Sequence, residues 1–263
     1  DMMRFQHDEL TVAGRNIVPL LREVMVDDPA VAALRDRLLD WDFVMDKDSV
    51  EAAVYATFEG RLRDNVHAVV VPASVHEWIE SVNNKRLIDW LVAPDGRFGD
   101  APVAGRDAVL RDSLAEALAS LTERLGPDMA NWQYGQEDYK HALIRHPMTA
   151  AVSPDVRRRI DVGPLPRGGY SGTVHNTGGR DNQTSGASFM FVADTSDWDN
   201  SVGLNAPGQS GDPDSPHYRD LFELWARGKY FPVFYSRSKI DSVTERTTTL
   251  APEVATEGAG GQP

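Results

Sequence analysis

Cysteine does not occur anywhere in this 263-residue chain. Its absence excludes disulfides, a thiol nucleophile and Cys-ligated metal, and leaves oxidising and reducing compartments both open. Positive charge is scarce: 27 Lys and Arg stand against 40 Asp and Glu, for a formal net charge of -13 and a pI near 4.9. A surface with that balance repels phosphate backbones, which argues against nucleic acid as a partner. Long apolar runs are also missing. None approaches the roughly 20 residues that a bilayer-crossing helix needs. No Met stands at position 1 and no signal peptide follows. The opening "DMMRFQHDELTVAGRNIVPLL" already has helical texture at Asp1, so the chain is expected to be a piece of something longer.

What is present suits a soluble globular body. Apolar residues make up 41% and charged residues 25%, ordinary values for such a chain. The length allows one large domain or two small ones, with enough chain to bury a sizeable core. Residues 1–126 are expected to be mainly helical. Leu10, Ala13, Ile17, Leu20, Leu21 and Val24 recur at helical spacing. Asp28 before Pro29 is an N-cap followed by a favoured first-turn residue, ahead of the stripe Val31, Leu34, Leu38. Residues 49–58 and 74–91 are predicted as further helices. The clearest one carries Leu110, Leu114, Leu118, Leu121 and Leu125 and stops at Gly126-Pro127.

After Pro127 the texture changes, and residues 127–250 are expected to be rich in strands. "GTVHNT" (172–177) and "ASFMFVADTS" (187–196) are predicted strands. In the second, Phe189, Phe191 and Ala193 point one way and Met190 and Val192 the other; both faces are apolar, so cover on both sides is expected. A last helix is predicted from Ser215-Pro216, with Tyr218, Leu221, Phe222 and Trp225 on one side and Gly228 as its stop. The tail 251–263 has little to bury and is expected to be mobile.

Each candidate for chemistry has a structural alternative. "GQSGD" puts Ser210 close to the G-x-S-x-G elbow of serine esterases but misses the second Gly by one position, and no strand runs into it. A tight turn, with Gly208 and Gly211 supplying unusual backbone angles, is the favoured reading. His76 to Glu80, "HEWIE", lacks the second His of a zincin helix. His141 and His146 are spaced for neither one helical face nor one strand face. Asp194, Asp197 and Asp199 suggest a calcium loop, but Val202 and Gly208 stand where the EF-hand template needs Gly and Glu, so a solvated acidic loop is expected. "RGGYSG" (167–172) is Gly-rich without the helix or the G-K-[ST] of a P-loop. Taken residue by residue, the chain is an α+β body without a complete active site.

Three longer stretches carry a resemblance. "NWQYGQEDYKHALIRHPM" (131–148) resembles the W-x-W-G…H-x-x-x-F-x-H-P signature late in the β chain of penicillin-acylase-type enzymes. "RGGYSGTVHNTG…SGASFMFVADTSDWDNS" resembles that family's G-G-x-x-x-T-V stretch and the strand after it. "APGQSGDPDSPHYRDLFELWARGKYFPVFYS" is similar to its C-terminal segment, and the opening resembles the helix that follows its catalytic half. The likeness runs to about Arg246. Tyr134 stands where the family often has a second Trp, and Glu137-Asp138-Tyr139 where a His is frequent.

The resemblance implies an N-terminal nucleophile (Ntn) hydrolase with an αββα sandwich, of which this chain supplies outer helices and some core strands. It also implies a self-cleaving precursor whose freed β chain begins with Ser, Thr or Cys. That residue's own amine is the general base, and backbone N–H groups and an Asn hold the oxyanion. With Asp1 at the head of this chain, the nucleophile, the Asn and the ligands of a structural calcium are all expected on another segment. No catalytic or metal residue is therefore assigned here, and substrate-binding residues stay unknown; Trp132, Tyr134 and Tyr139 are either rim or core. The expected function is part of an acylase that cleaves the acyl side chain of a β-lactam, an acyl-homoserine lactone or a related amide, inactive as this chain alone and periplasmic or secreted. The alternative is a non-catalytic scaffold that keeps the acylase C-terminal fold; a freestanding esterase at Ser210 is third. Ser215 is expected to cap the last helix, with His217 and Asp220 bonding to its loop.

Overall fold

The computed structural model describes residues 1–178 and 185–252. Of the tail 251–263, expected to be mobile, residues 253–263 lie outside the described residues. The N-terminal part is built on helices α1 (Met2–Gln6), α2 (Val12–Ile17), α3 (Pro29–Leu39), α4 (Val50–Val70), α5 (Asn84–Val92) and α6 (Pro102–Leu125). Their starts follow from capping chemistry. Thr11, Asp28, Ser49 and Asn83 each accept a backbone N–H of the first turn with the side chain, which satisfies a donor that the helix itself cannot. The packed pair α4 and α6 forms the centre, and Leu34, Leu38, Phe58, Leu62, Leu87, Leu110, Leu114 and Leu121 close the core around it.

The opening is not one helix. Asp8 turns its carboxylate to the N–H of Leu10, and residues 9–11 pair with 43–45: Thr11 donates to Phe43 O and Met45 to Glu9 O, both at 2.9 Å. Local side-chain bonds and a long-range backbone pairing here outcompete the helix. The predicted helix 74–91 shrinks to α5; residues 76–83 lie outside any helix and leave Trp78 79% exposed.

The strands follow. β1 (Ala142–Ile144) pairs antiparallel with β2 (Val162–Leu165), flanking α7 (Pro154–Ile160); β3 (Thr177–Gly178) pairs with β4 (Ser185–Gly186). β5 (Phe189–Val192), β6 (Val202–Asn205) and β7 (Phe231–Pro232) form a three-stranded antiparallel sheet in that order. α8 (Phe222–Ala226) and α9 (Arg237–Val243) complete the described chain. A second core of Ala142, Val162, Met190, Leu204, Tyr218, Phe222 and Trp225 lies between β1–β2, the inner face of the sheet and α8.

Three expectations change. "GTVHNT" is not a strand: only Thr177 enters a ladder, because the Thr173 hydroxyl accepts from Tyr170 N (2.9 Å) and contacts His175 O (2.8 Å), closing a turn. The last helix is two pieces, a 3-10 turn at Pro216–Tyr218 and then α8, with Leu221 only half-buried at the break. The strand at 189–192 has the predicted alternation, with Met190 inward, but its other face is open: Phe189 is 64% and Phe191 43% exposed.

Candidate functional site

The Gly-rich run at 167–172 is the stretch that resembled a family signature. It folds back on itself. Gly169 sits at φ +87, and a Cβ there would lie 2.1 Å from His175 O, so only glycine fits the turn. The turn delivers two side chains, Arg167 and His175, into the seam between the helical part and the strands. Arg167 is fully buried. Its guanidinium stacks over the Trp225 ring at 4.1 Å and its Nη2 stands 2.5 Å from His175 Nε2. On the other edge of the imidazole, Nδ1 stands 2.9 Å from Glu9 Oε1. His7 meets the His175 ring edge-on at 4.6 Å, and neither of its buried ring nitrogens has a hydrogen-bond partner. A second buried acid braces the same turn from the helical side: Glu59 on α4 pairs with Arg63 and accepts the Tyr170 hydroxyl.

Donor counting fixes the protons. A guanidinium can only donate, so His175 Nε2 accepts and its single proton sits on Nδ1, aimed at Glu9. The ring is therefore neutral. Burial, then the neighbouring Arg167 charge, pulls its pKa down to about 3. Burial, then His175 and Arg167, lowers His7 to about 4. Glu9 moves the other way, to about 7, because burial and the nearby Asp46 outweigh the attraction of Arg167 and Lys47. A cavity of about 240 Å³, bounded by His7, Glu9, Asp46, Lys47 and Gly168, opens beside the cluster.

These shifts predict a pH profile. Unfolded histidines bind protons near pH 6.5 that folded His7 and His175 refuse, so their contribution is lost as pH falls below 6.5. Folded Glu9 holds a proton that the unfolded chain has released above 4.5, so its contribution is lost as pH rises through 7. Two protons oppose one between pH 4.5 and 6.5, and stability from this cluster peaks near pH 6.5. Glu9→Gln is expected to steepen the acid limb, remove the alkaline loss and raise stability at pH 8 by about 1–2 kcal/mol, since one pKa unit is worth about 1.4 kcal/mol. Urea midpoints of both proteins at pH 5 and pH 8 check this; a Gln variant that loses more at pH 8 than at pH 5 contradicts it.

The cluster holds a base-like geometry without a nucleophile. Among the described residues no histidine ring bonds a serine or threonine hydroxyl. Ser210 Oγ accepts from Asp212 N at 3.1 Å, and its own N–H donates to His217 O at 3.0 Å. The His217 and Asp220 side chains bond each other at 2.8 Å, which raises the His217 pKa, and His217 meets the loop through its backbone carbonyl. Ser215 caps the following turn through His217 N, as expected. Neither Gly208 nor Gly211 has a positive φ; Gly208 is required instead by close approach, since a Cβ there would lie 2.3 Å from His217 O, and Gly211 faces open space.

The other candidates are also placed. Asp194, Asp197 and Asp199 each accept backbone N–H groups, Asp199 from Tyr235 and Ser236 at 2.8 Å, and the Ser236 side chain together with those bonds lowers the pKa of Asp199. His76 contacts Val71 O at 2.8 Å while Glu80 is exposed. His146 Nδ1 accepts from Met148 N, and His141 is not brought to it by any bond. Trp132, Tyr134 and Tyr139 are buried in the helical core; the Trp132 indole donates to Gly126 O and the Tyr134 hydroxyl to Gly169 O. Glu137 and Asp138 are exposed. Nothing in the spacing of 7, 9, 167 and 175 connects them; the one legible sign was an Arg and a His flanking a glycine pair.

Comparison with known proteins bears on what this frame belongs to. The model of the family described as penicillin amidase matches residues 1–242. An acyl-homoserine lactone acylase, QuiP, from Pseudomonas aeruginosa is 27% identical over 245 residues, covering 82% of this chain and 28% of that protein. Penicillin acylase 2 proenzyme from Pseudomonas sp. is 30% identical over 231 residues, covering 83% of this chain and 28% of the proenzyme. The solved thermostable penicillin G acylase from Alcaligenes faecalis superposes with a TM-score of 0.54 at 19% identity, covering 97% of this chain and 48% of that one. The chain thus spans little more than a quarter of these two curated relatives. The structural match carries the fold, an Ntn-hydrolase αββα sandwich to which this chain contributes helices and some strands.

Proposed function

Because the chain belongs to the penicillin amidase family, we propose that it is the C-terminal part of the β subunit of an amide-hydrolysing acylase. Its role is to frame a reactive centre carried by another segment. The observation that supports this is the fate of the family-like motifs. They are spent on structure: Arg167 and His175 lock a seam, Trp132 and Tyr134 fill a core, and Ser210 shapes a turn. The nucleophile in this reading is a chain-terminal Ser, Thr or Cys whose free amine takes its proton, and residues 1–263 are inactive alone. The substrate is an acyl amide of the kind named by its relatives, a lactone-bearing or β-lactam-bearing one.

No described helix is long and apolar enough to cross a membrane, and the proposed location is the periplasm or the exterior. Among the described residues no group of three or more His, Asp or Glu side chains could hold a metal ion. In this reading the structural calcium implied by the resemblance is held by another segment.

Intact mass and N-terminal sequencing of the full acylase, purified from cells expressing the longer gene, test this directly. A companion chain beginning with Ser, Thr or Cys is expected, with hydrolysis of an acyl-homoserine lactone or penicillin appearing only when both chains are present. Turnover by this chain alone would sink the proposal. In the assembled enzyme Ser210→Ala is expected to change kcat by less than about twofold, because its hydroxyl touches only the Asp212 amide. A loss near a thousandfold with the fold unchanged would make Ser210 a catalytic residue.

A further inference from the structure

Helix α1 has no buried residue, and of the first seven side chains only those of Gln6 and His7 are not fully exposed. A single helical turn this short does not stand alone, so these two side chains hold the segment in place. Gln6 is tied at both ends of its amide: Nε2 donates to Phe191 O at 3.2 Å, and Oε1 accepts the Tyr230 hydroxyl at 2.7 Å. His7 is held by shape alone. Both of its ring nitrogens are buried without a hydrogen-bond partner. The His175 ring meets it edge-on at 4.6 Å and the Tyr230 ring at 5.4 Å. Gly228, at φ +62, closes the seat; a Cβ there would stand 3.0 Å from His7 Cε1, 3.1 Å from Nδ1 and 3.2 Å from Nε2.

A neutral imidazole can occupy such a seat. An imidazolium carries two donors and a full charge, and burying an unpaired charge costs far more than burying an unpaired polar group. No anion near the ring is left to meet it. Arg167, on the 167–175 turn, opposes a second cation. Glu9 accepts from His175 Nδ1, and Asp8 turns its carboxylate to Leu10 N. Across the adjoining cavity Asp46 accepts Asp48 N, Lys47 pairs with Asp48, and Arg227 pairs with Glu223. We propose that His7 is an acid-sensitive latch: protonation expels its ring from the seat between His175, Tyr230 and Gly228, and α1 comes away from β5. The sign follows from linkage. The free segment takes up the proton near pH 6.5, the latched one only near 4, because burial and then His175 and Arg167 oppose the charge. The free-to-latched ratio therefore rises as pH falls below 6.5, by roughly thirtyfold between pH 7.5 and pH 5. The latch operates whether or not the assembled protein is an acylase, and the proposed periplasmic or exterior location exposes it to the acidity of the medium.

The test uses the full-length protein in a background without other cysteines, spin-labelled at Met3→Cys on α1 and Arg111→Cys on α6, two exposed positions. Pulsed electron–electron resonance reads the distance between the labels. One narrow distribution is expected at pH 7.5. At pH 5 a second, broad population is expected, at least fivefold larger than at pH 7.5, with the near-ultraviolet circular dichroism unchanged. His7→Phe and His7→Gln differ in shape, and neither takes up a proton; both are expected to give the same distribution at the two pH values. His217→Ala, which removes an exposed histidine elsewhere, is expected to respond as the parent does. A parent whose α1 stays latched at pH 5, or comes away only when the whole protein unfolds, overturns the proposal. So does a folded His7 variant that releases α1 with the pH dependence of the parent.

Discussion

Arg167→Met is expected to cost about 3–5 kcal/mol at pH 8, enough to unfold a marginal domain. The guanidinium is fully buried, stacks on Trp225 at 4.1 Å and donates to His175 Nε2. Methionine can fill much of the volume. It cannot donate to Nε2 or balance the Glu9 charge, and unpaired buried groups carry their full desolvation cost. The loss should depend on pH in a definite sense. Glu9 titrates near 7 in the folded chain, so at pH 5 it is already neutral and needs no cation; the expected cost there falls to about 2 kcal/mol. Adding Glu9→Gln to Arg167→Met should recover at least about 1.5 kcal/mol at pH 8 and little at pH 5, a coupling that a double-mutant cycle reads directly. Arg167→Lys should not restore stability, because a point charge on a flexible stem cannot both stack on Trp225 and reach His175. Urea unfolding at the two pH values decides. A methionine variant within about 1 kcal/mol of the parent at pH 8 would mean that the seam does not depend on this ion.

That cluster also shows where sequence reasoning stopped. Periodicity identified α6 because its stripe Leu110, Leu114 and Leu121 is buried within a single helix, a local fact written at local spacing. Asp28-Pro29 and Ser215-Pro216 were legible as helix or turn starts for the same reason: the cap and the amide it satisfies are two or three residues apart. The Arg167–His175–Glu9 chain spans most of the molecule. Its members meet only because residues 9–11 pair with 43–45 and the 167–175 turn folds onto both, Gly169 N donating to Met45 O and His175 N to Asp8 O. No spacing rule reaches across such separations.

The misread segments fail for similar causes. Residues 172–177 hold Thr, Val and Thr, a strand-like composition, but the Thr173 hydroxyl at a tight turn outweighs propensity. The opening helix breaks where Asp8 and Thr11 find backbone partners. The strand at 189–192 is the instructive case. Its alternation was legible, and Met190 does point inward. The expected cover on the second face does not come from the described residues, and a sequence cannot say whether apolar cover comes from its own residues or from another polypeptide.

Gly208→Ala is expected to destabilise by about 3–4 kcal/mol, while Gly211→Ala and Ser210→Ala each stay within about 1 kcal/mol of the parent. The three positions lie within four residues, so composition cannot separate them; geometry does. A Cβ on Gly208 would stand 2.3 Å from His217 O and 2.8 Å from Tyr218 O, both backbone atoms with no flexible end to move. His217 O is also the acceptor for Gln209 N at 2.9 Å and Ser210 N at 3.0 Å. Pushing it aside therefore breaks two hydrogen bonds worth about 1 kcal/mol each, besides the steric cost. It also shifts Tyr218, whose buried ring belongs to the second core. Gly211 has nothing within 4 Å of its would-be Cβ, and Ser210 loses only the Asp212 amide. Thermal unfolding of the three alanine variants gives the ranking. A loop built to present Ser210 for chemistry would keep that stability ranking and differ in activity in the assembled enzyme: Ser210→Ala stable and inactive, and Gly208→Ala defective in proportion to its lost fold alone.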